Sequence, residues 1–556
     1  MQPFRKDDIS RHEWRWVAIF AGILVTLALL PYAWASIASD NKWQFLGVLS
    51  NPQDGATYFS KIRQGLDGYW LFELMHTPEV HDRAGLFTFY LLLGQIARIV
   101  GLSIVVVFHL ARVATSIFMF SALYQLGAVI WKRLRPRRLF FIFLALASGL
   151  GWVVLFFDDK ALAPDLNVPE AFPFYAALVN PHFPLSIGLL ALLAGIFLQV
   201  FRPGYNEAPS VENGGLAAIL YSIILAIVQP PALVSFGGAL VLLILITAYK
   251  RRDIPWHEVR WSSMVLLPTF PFALYYLLVF DFNETMGKFN EQNITRSPNV
   301  FLTLMAFGLL LLVATPAIVR AVRLFERDGD QLMLLWLTVN IILVYMPFNL
   351  QRRLFIGLII PLVYFCIRAI EDYWMTHIPV KRQRLALILL FVFLIPSNFI
   401  VLFIPLFGAV SNREAGADAG ILIEKNYVDV FDWLEINARE DEVVLGSPDI
   451  GMWIPAQASV RVVYGHPYET VPAKLRERQV KDFFEGKDCD TLFSDAVDFN
   501  IHYVVWGPRE EEMGLLDKKT ETIRPGVEEC RQKIEDRATL TEQFGDVTLY
   551  VLREPR

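Results

Sequence analysis

Apolar residues in this chain gather in long runs separated by short polar or basic breaks. The runs fall at 17–37, 104–131, 138–157, 183–201, 215–229, 232–249, 262–280, 300–320, 331–347, 353–370 and 385–408. Most approach the roughly 20 residues that carry a helix across a bilayer core. They predict about eleven helical spans. A further stretch, LFTFYLLLGQIARIVG at 86–101, is short for a crossing. From about Ser411 the pattern becomes that of a folded domain in water. YVDVFDWLEINA (427–438) and KLRERQVKDFFEG (474–486) have helical spacing. DEVVLGSP (441–448), ASVRVVYG (458–465), FNIHYVVWG (499–507) and DVTLYVLRE (546–554) read as strands. Strands alternating with helices imply an α/β layer. The expected fold class is a multi-span α-helical membrane protein, 1–410, followed by a C-terminal extracytoplasmic α/β domain, 411–556.

Charge orients the spans. If 86–101 does not cross, one side of the membrane holds the basic N-terminus (Arg5, Lys6, Arg11, Arg15) and Lys132–Arg138. The same side then holds Lys250, Arg251, Arg252, Arg260, Arg320, Arg323, Arg327, Lys381, Arg382 and Arg384. That is the positive-inside pattern. The segment 86–101 is therefore read as lying in the outer interface or dipping in and returning. The N-terminus is expected inside, as an uncleaved signal anchor. The C-terminal domain is expected outside, together with a large first outer loop at 38–103. The setting this implies is an integral protein of a bacterial or archaeal cytoplasmic membrane.

Composition agrees with the class. The chain has 556 residues, 55% of them hydrophobic, and a formal net charge of −5. That balance argues against nucleic acid as a partner. Three cysteines make no disulfide framework; Cys489 and Cys530 either pair or stay as thiols. The chain has no Walker pattern and no GxGxxG, so nothing assigns the α/β domain a nucleotide.

The candidate chemistry lies in the outer segments and the outer ends of spans. In DGATYFSKIRQG, Asp54 stands at a helix start and Gly65 at a helix stop, with Tyr58 between. Asp54 is either a plain cap or a carboxylate facing substrate. HTPEVHDR adds Glu79 and His81 to the same loop, as a solvated loop or as a second face of the same cavity. His109 and Arg112 sit three apart within a span, so they share one helix face. Polar groups there are costly and point to a lined cavity or to snorkelling. NPHFPLSIG places His182 between two prolines at the head of a span, and FNLQRRLFIG places Arg352 and Arg353 at the head of another. A guanidinium pair at a membrane surface suits bidentate phosphate binding. Together these describe an outward cavity at headgroup depth for a phosphorylated lipid. A transporter or flippase of a lipid-linked or anionic substrate is the alternative, with a non-catalytic scaffold as a third class.

The layout resembles the GT-C superfamily, multi-span glycosyltransferases that use polyprenyl-linked sugar donors. The resemblance rests on NPQDGATYFSKIRQG after the first span, LFTFYLLLGQIARIVG, NPHFPLSIG, the late outer QRR and VVLGSPDIGMWIPAQASVRVVYGHPYET in the outer domain. It implies transfer of a sugar from a polyprenyl-phosphate donor to a lipid, glycan or protein acceptor at the outer face. It makes Asp54 the catalytic base of an inverting single displacement. Arg352, Arg353 or Arg112 would then stabilise the leaving phosphate, and His466 and Glu469 would help to select acceptor. Many members carry two adjacent acidic residues in the first loop, whereas this chain has Gln53-Asp54-Gly55. Asp158-Asp159 could supply a second acidic site. No cofactor follows from this, and a divalent cation stays open.

Overall fold

The structure is a computed structural model describing residues 9–158, 160–201, 213–326, 329–411, 413–493, 499–517 and 522–553. Among the described residues, nine helices are long and apolar enough to cross a membrane. The other two expected spans, 215–229 and 331–347, are the shorter helices Gly214–Val228 and Asp330–Leu343. The stretch 86–101 forms a 13-residue helix, Thr88–Val100. The chain divides into two compact units.

The first unit comprises Met1–Pro31, His109–Tyr276 and Ile294–Ile404. Among the described residues its regular elements are all helices, as the runs predict. His182–Val200 and Gln351–His377 are buried along 89% of their apolar windows, which makes them central. In Trp256–Phe282 only 6% of an equally apolar window is buried. A bare helix of that composition is stable in lipid and not in water. VQPPAL is a tight break: Gln229 ends Gly214–Val228, and a new helix begins at Pro230. Proline suits that first helical position because its missing N–H has no partner there anyway.

The second unit comprises Tyr32–Phe108, Leu277–Asn293 and Pro405–Arg556. The segment after the first apolar helix and the C-terminal region thus fold together. Strand β1 (Trp43–Phe45) pairs antiparallel with β2 (Leu422–Glu424), in register Gln44 to Ile423. Ion pairs repeat the link: Arg63 with Glu435 at 2.7 Å, Arg83 with Glu440 at 2.5 Å, and Arg461 with Glu73. The main sheet contains β3 (Val443–Leu445), β4 (Arg461–Val462), β5 (Ile501–Trp506), β8 (Ala538–Phe544) and β9 (Val547–Leu552). Its order is β4-β3-β5-β9-β8, parallel from β4 to β5 and antiparallel beyond. A separate pair, β6 (Leu515–Asp517) and β7 (Thr522–Ile523), is antiparallel. Helix Ala473–Phe484 buries Val480, Phe483 and Phe484 in the same apolar core as Val504, Trp506 and Ile534. Cys489 and Cys530 are bonded to each other. Cys366 is the remaining thiol, and it is buried.

Two helices that follow the first apolar helix set up the candidate site. Helix α2 (Pro52–Leu66) follows α1 (Arg11–Ile37), and α3 is Thr88–Val100. The expected helix stop at Gly65 is corrected, because α2 runs on to Leu66 and caps at Asp67. Gly65 instead lets the helices touch. A Cβ on Gly65 would lie 2.1 Å from the carbonyl oxygen of Leu91, and one on Gly94 2.0 Å from that of Ile62. Only glycine fits such an approach of two backbones.

Candidate functional site

The helix start is also corrected in detail. Asn51, not Asp54, is the N-cap, with its side-chain oxygen toward the Asp54 backbone N–H. Its left-handed backbone (φ 52°) is one that Asn tolerates. Asp54 therefore sits in the first turn of α2, where the helix dipole favours a carboxylate. Its Oδ2 accepts from Asn51 Nδ2 at 2.6 Å, and its Oδ1 lies 3.5 Å from His466 Nε2. The side chain is 24% exposed, so a substrate can reach it.

His466 lies in the YGHPYET turn, and its orientation follows from backbone hydrogen bonds. The N–H groups of Tyr468 and Glu469 both donate to Nδ1, at 3.2 and 3.1 Å. A ring nitrogen that accepts cannot carry the proton, so the neutral ring carries it on Nε2, toward Asp54. The next helix starts at Ala473 with Pro472 before it, so Thr470 does not cap it. Thr470 holds the turn instead. Its hydroxyl accepts from the N–H of Gly465 and His466, at 3.2 and 3.1 Å, and donates to the His76 carbonyl at 2.5 Å.

Behind this pair lies a buried charge. Lys61 is fully buried on α2, seven residues after Asp54 and so on the same face. Its ammonium is 2.5 Å from Glu469 Oε1. The rings of Tyr58, Phe72 and Phe87 surround it at 5.3, 5.2 and 4.4 Å, and Tyr58 stacks on Tyr90. Phe87 is left-handed (φ 52°), a strained state for a bulky residue that the surroundings must enforce. The second oxygen of Glu469 is 3.5 Å from His76 Nδ1, and His76 Nε2 donates to the Met452 carbonyl at 3.0 Å. Burial pushes the Glu469 carboxyl up, but the Lys61 ammonium and the two histidines outweigh it and hold it well below the carboxylate range. Loss of water pulls Lys61 and His76 down from their ordinary values, with Glu469 opposing.

Glu79 and His81 are engaged elsewhere in the same unit. Glu79 pairs with Arg476 at 2.8 Å and accepts from Thr77. His81 accepts from the Leu74 N–H at 3.0 Å, while its Nδ1 donates to the Glu79 carbonyl at 2.9 Å. Both ring nitrogens thus serve the loop's own conformation.

The remaining candidates belong to the helical unit. Arg112 is buried on α4 (Ile104–Ile130) and donates to the Leu178 carbonyl, with His109 half-buried one turn before it. His182 begins its helix, buried beside Phe183 with ring centroids 4.0 Å apart. Arg352 and Arg353 share the short 3-10 turn Gln351–Phe355. The Arg352 N–H donates to the Thr295 carbonyl at 3.0 Å. Arg353 pairs with buried Glu170 at 3.3 Å and lies 6.0 Å from the Phe183 ring. The region of Phe183 thus carries Arg353, His182 and Glu170. Asp158 is exposed, and Asp159 lies outside the described residues.

Sequence reasoning selected Asp54, His466 and Glu469, which the structure brings together. It missed Asn51, Lys61 and His76 as members of the group. The seven-residue spacing from Asp54 to Lys61 was the available signal.

No family model and no curated protein matches the chain. Solved structures do. The oligosaccharyltransferase of Archaeoglobus fulgidus, in complex with Zn and sulfate, is 14% identical with a TM-score of 0.52. The match covers 90% of this chain and 70% of that one. ArnT from Cupriavidus metallidurans in the apo state is 12% identical with a TM-score of 0.52, over 98% of this chain and 100% of that one. The same protein bound to undecaprenyl phosphate gives 0.50 at 12% identity, over 98% and 99%. The chain therefore shares the fold of these membrane glycosyltransferase structures.

Proposed function

We propose that the chain transfers a sugar from a polyprenyl-phosphate donor to an acceptor at the outer face of the membrane, with Asp54 as general base. One observation carries this: a partly exposed carboxylate in the first turn of α2, held from one side by Asn51 and faced from the other by an N–H of His466. In the single displacement, an acceptor O–H or N–H attacks the anomeric carbon as the bond to the phosphate oxygen breaks. Asp54 takes the acceptor's proton. The lipid phosphate leaves with the electron pair, and attack from the opposite face inverts the centre. His466 is not the base, because its Nε2 already carries the proton that its Nδ1 cannot.

Arg352, Arg353 and Arg112, with His109 and His182, are proposed to bind the donor's phosphate. Guanidinium groups match phosphate oxygens with two parallel N–H donors. The solved neighbours support a lipid donor, since ArnT has been captured with undecaprenyl phosphate.

A metal at Asp54 does not fit this group, although the archaeal neighbour was solved with zinc. A ligating imidazole offers a lone pair, and the one on His466 is spent on two backbone N–H groups. Glu469 is spent on Lys61. Among the described residues, no three His, Cys, Asp or Glu side chains form a metal-holding group. No step is assigned to a metal here.

The test is transfer of radiolabelled sugar from a polyprenyl-phosphate donor by protein in vesicles, set against uptake of the same donor. Label appearing on an acceptor distinct from the donor lipid supports the reading. Uptake without transfer assigns the chain to transport.

A further inference from the structure

Lys61 and His466 are both near Asp54, yet neither is placed to exchange a proton with substrate. Lys61 is fully buried and enclosed by Glu469 and three rings. His466 is 3% exposed and its ring is fixed by backbone donors. What they share is a closed circuit that begins and ends on α2. From Lys61 it runs to the Glu469 side chain at 2.5 Å. The Glu469 backbone N–H then meets His466 Nδ1 at 3.1 Å, and His466 Nε2 faces Asp54 at 3.5 Å. Gln292 adds a brace, its amide donating to the carbonyls of Tyr468 and Thr470 at 2.5 Å each.

We propose that His466 is a positioning residue for Asp54, and that the Lys61–Glu469 ion pair pins the His466 turn to α2 so that the Nε2–H is aimed at that carboxylate. The proposal rests on the reading of Asp54 as the base. Its physical content is a donor held in place before the reaction. At 3.5 Å the Nε2–H faces Asp54 without a hydrogen bond in this structure; a donor dipole aimed at a carboxylate favours the ionised form, which is the form a base must have. The groups that face Asp54 include Asn51 at the cap of its helix, Lys61 on that helix and His466 from the C-terminal region; Glu469 and His76 stand behind His466. A second consequence is orientation. With Asn51 bonded to one oxygen and His466 facing the other at 3.5 Å, the carboxylate has a preferred orientation toward an acceptor.

This separates positioning from acceptor selection, the role the sequence suggested for His466. A group that only binds acceptor changes KM and leaves the pH profile of the base in place. A positioning donor changes kcat and moves that profile.

The experiment measures kcat, acceptor KM and the pH profile of transfer for His466→Asn, His466→Gln and Asp54→Asn in the full-length protein. Asn lacks a donor at the Nε2 position, whereas the Gln amide reaches it. His466→Asn is expected to lower kcat about ten-fold or more. Its acid limb should move to higher pH, because a carboxylate that loses a donor protonates more readily. Acceptor KM should stay close to wild type, and His466→Gln should restore most of kcat. A raised KM with kcat and the limb unchanged overturns the proposal, as does an Asn variant that behaves like Gln. Asp54→Asn is the separate control. If it stays active, the base assignment fails whatever the His466 variants do; if it is inert while His466→Asn is silent, only the positioning role fails.

Discussion

Replacing Lys61 by Met keeps much of the side chain's volume inside its ring of Tyr58, Phe72 and Phe87 but removes the charge. Glu469, 5% exposed, then loses its nearest cation in a site without water. Breaking one half of a buried pair costs about 3–5 kcal/mol, because the stranded charge is not rehydrated. For a unit of this size, each kcal/mol moves the melting midpoint by about 2–4 °C. Lys61→Met should therefore melt on the order of 10 °C below wild type. Lys61→Met/Glu469→Gln removes both charges and keeps the backbone N–H that meets His466, so most of the loss should return. Buried Trp43, Trp453 and Trp506 lie in the same unit and give a fluorescence signal for thermal unfolding. The pH dependence has a definite sign. The Glu469 carboxyl is held below its ordinary 4.5 in the folded unit. Its stabilising contribution is present above that value and is lost as the pH falls through the folded value. A single variant that melts no lower than the double would refute the reasoning, since the two sites would then be uncoupled.

Three further outcomes follow from the geometry. Gly94→Ala should push α3 from α2, because the added Cβ would lie 2.0 Å from the Ile62 carbonyl; a loss of about 1–3 kcal/mol and lower transfer are expected in melting and activity assays. Burial holds His76 and His81 below their ordinary 6.5, so the stability they contribute is present above that value and lost as the pH falls through their folded values; His76→Gln should flatten part of that loss in melts taken from about pH 7 to 5. Arg352→Ala should raise KM for the lipid donor about ten-fold with acceptor KM unchanged, measured by initial rates over donor concentration.

The helical unit was legible because lipid imposes one rule on every span: a long apolar run with its backbone satisfied internally. Even the shorter runs at 215–229 and 331–347 are helices where expected. The α/β region was legible where strands are buried, as in Val443–Leu445. Strand Ala538–Phe544 was not, since it lies at the sheet edge with most side chains exposed and its alternation of Ala538, Leu540 and Phe544 is broken by Glu542. Gly65 resembled a helix stop because glycine ends many helices; its partner Gly94 lies 29 residues away, and no local pattern connects them. The site was half legible for the same reason. Asp54 stands out locally, but His466 and Glu469 join it only through the pairing of the segment after the first apolar helix with the C-terminal region. Lys61, between Ser60 and Ile62, carries no local signal of a role, and burial is what gives it one.

The central claim is that Asp54 takes the acceptor's proton. The most direct measurement is single-turnover sugar transfer by wild type and Asp54→Asn from the same polyprenyl-phosphate donor, with melting curves for both. The account predicts transfer by wild type and none by the variant, whose melting midpoint stays close to wild type. Transfer by a folded Asp54→Asn protein at the wild-type rate would contradict it.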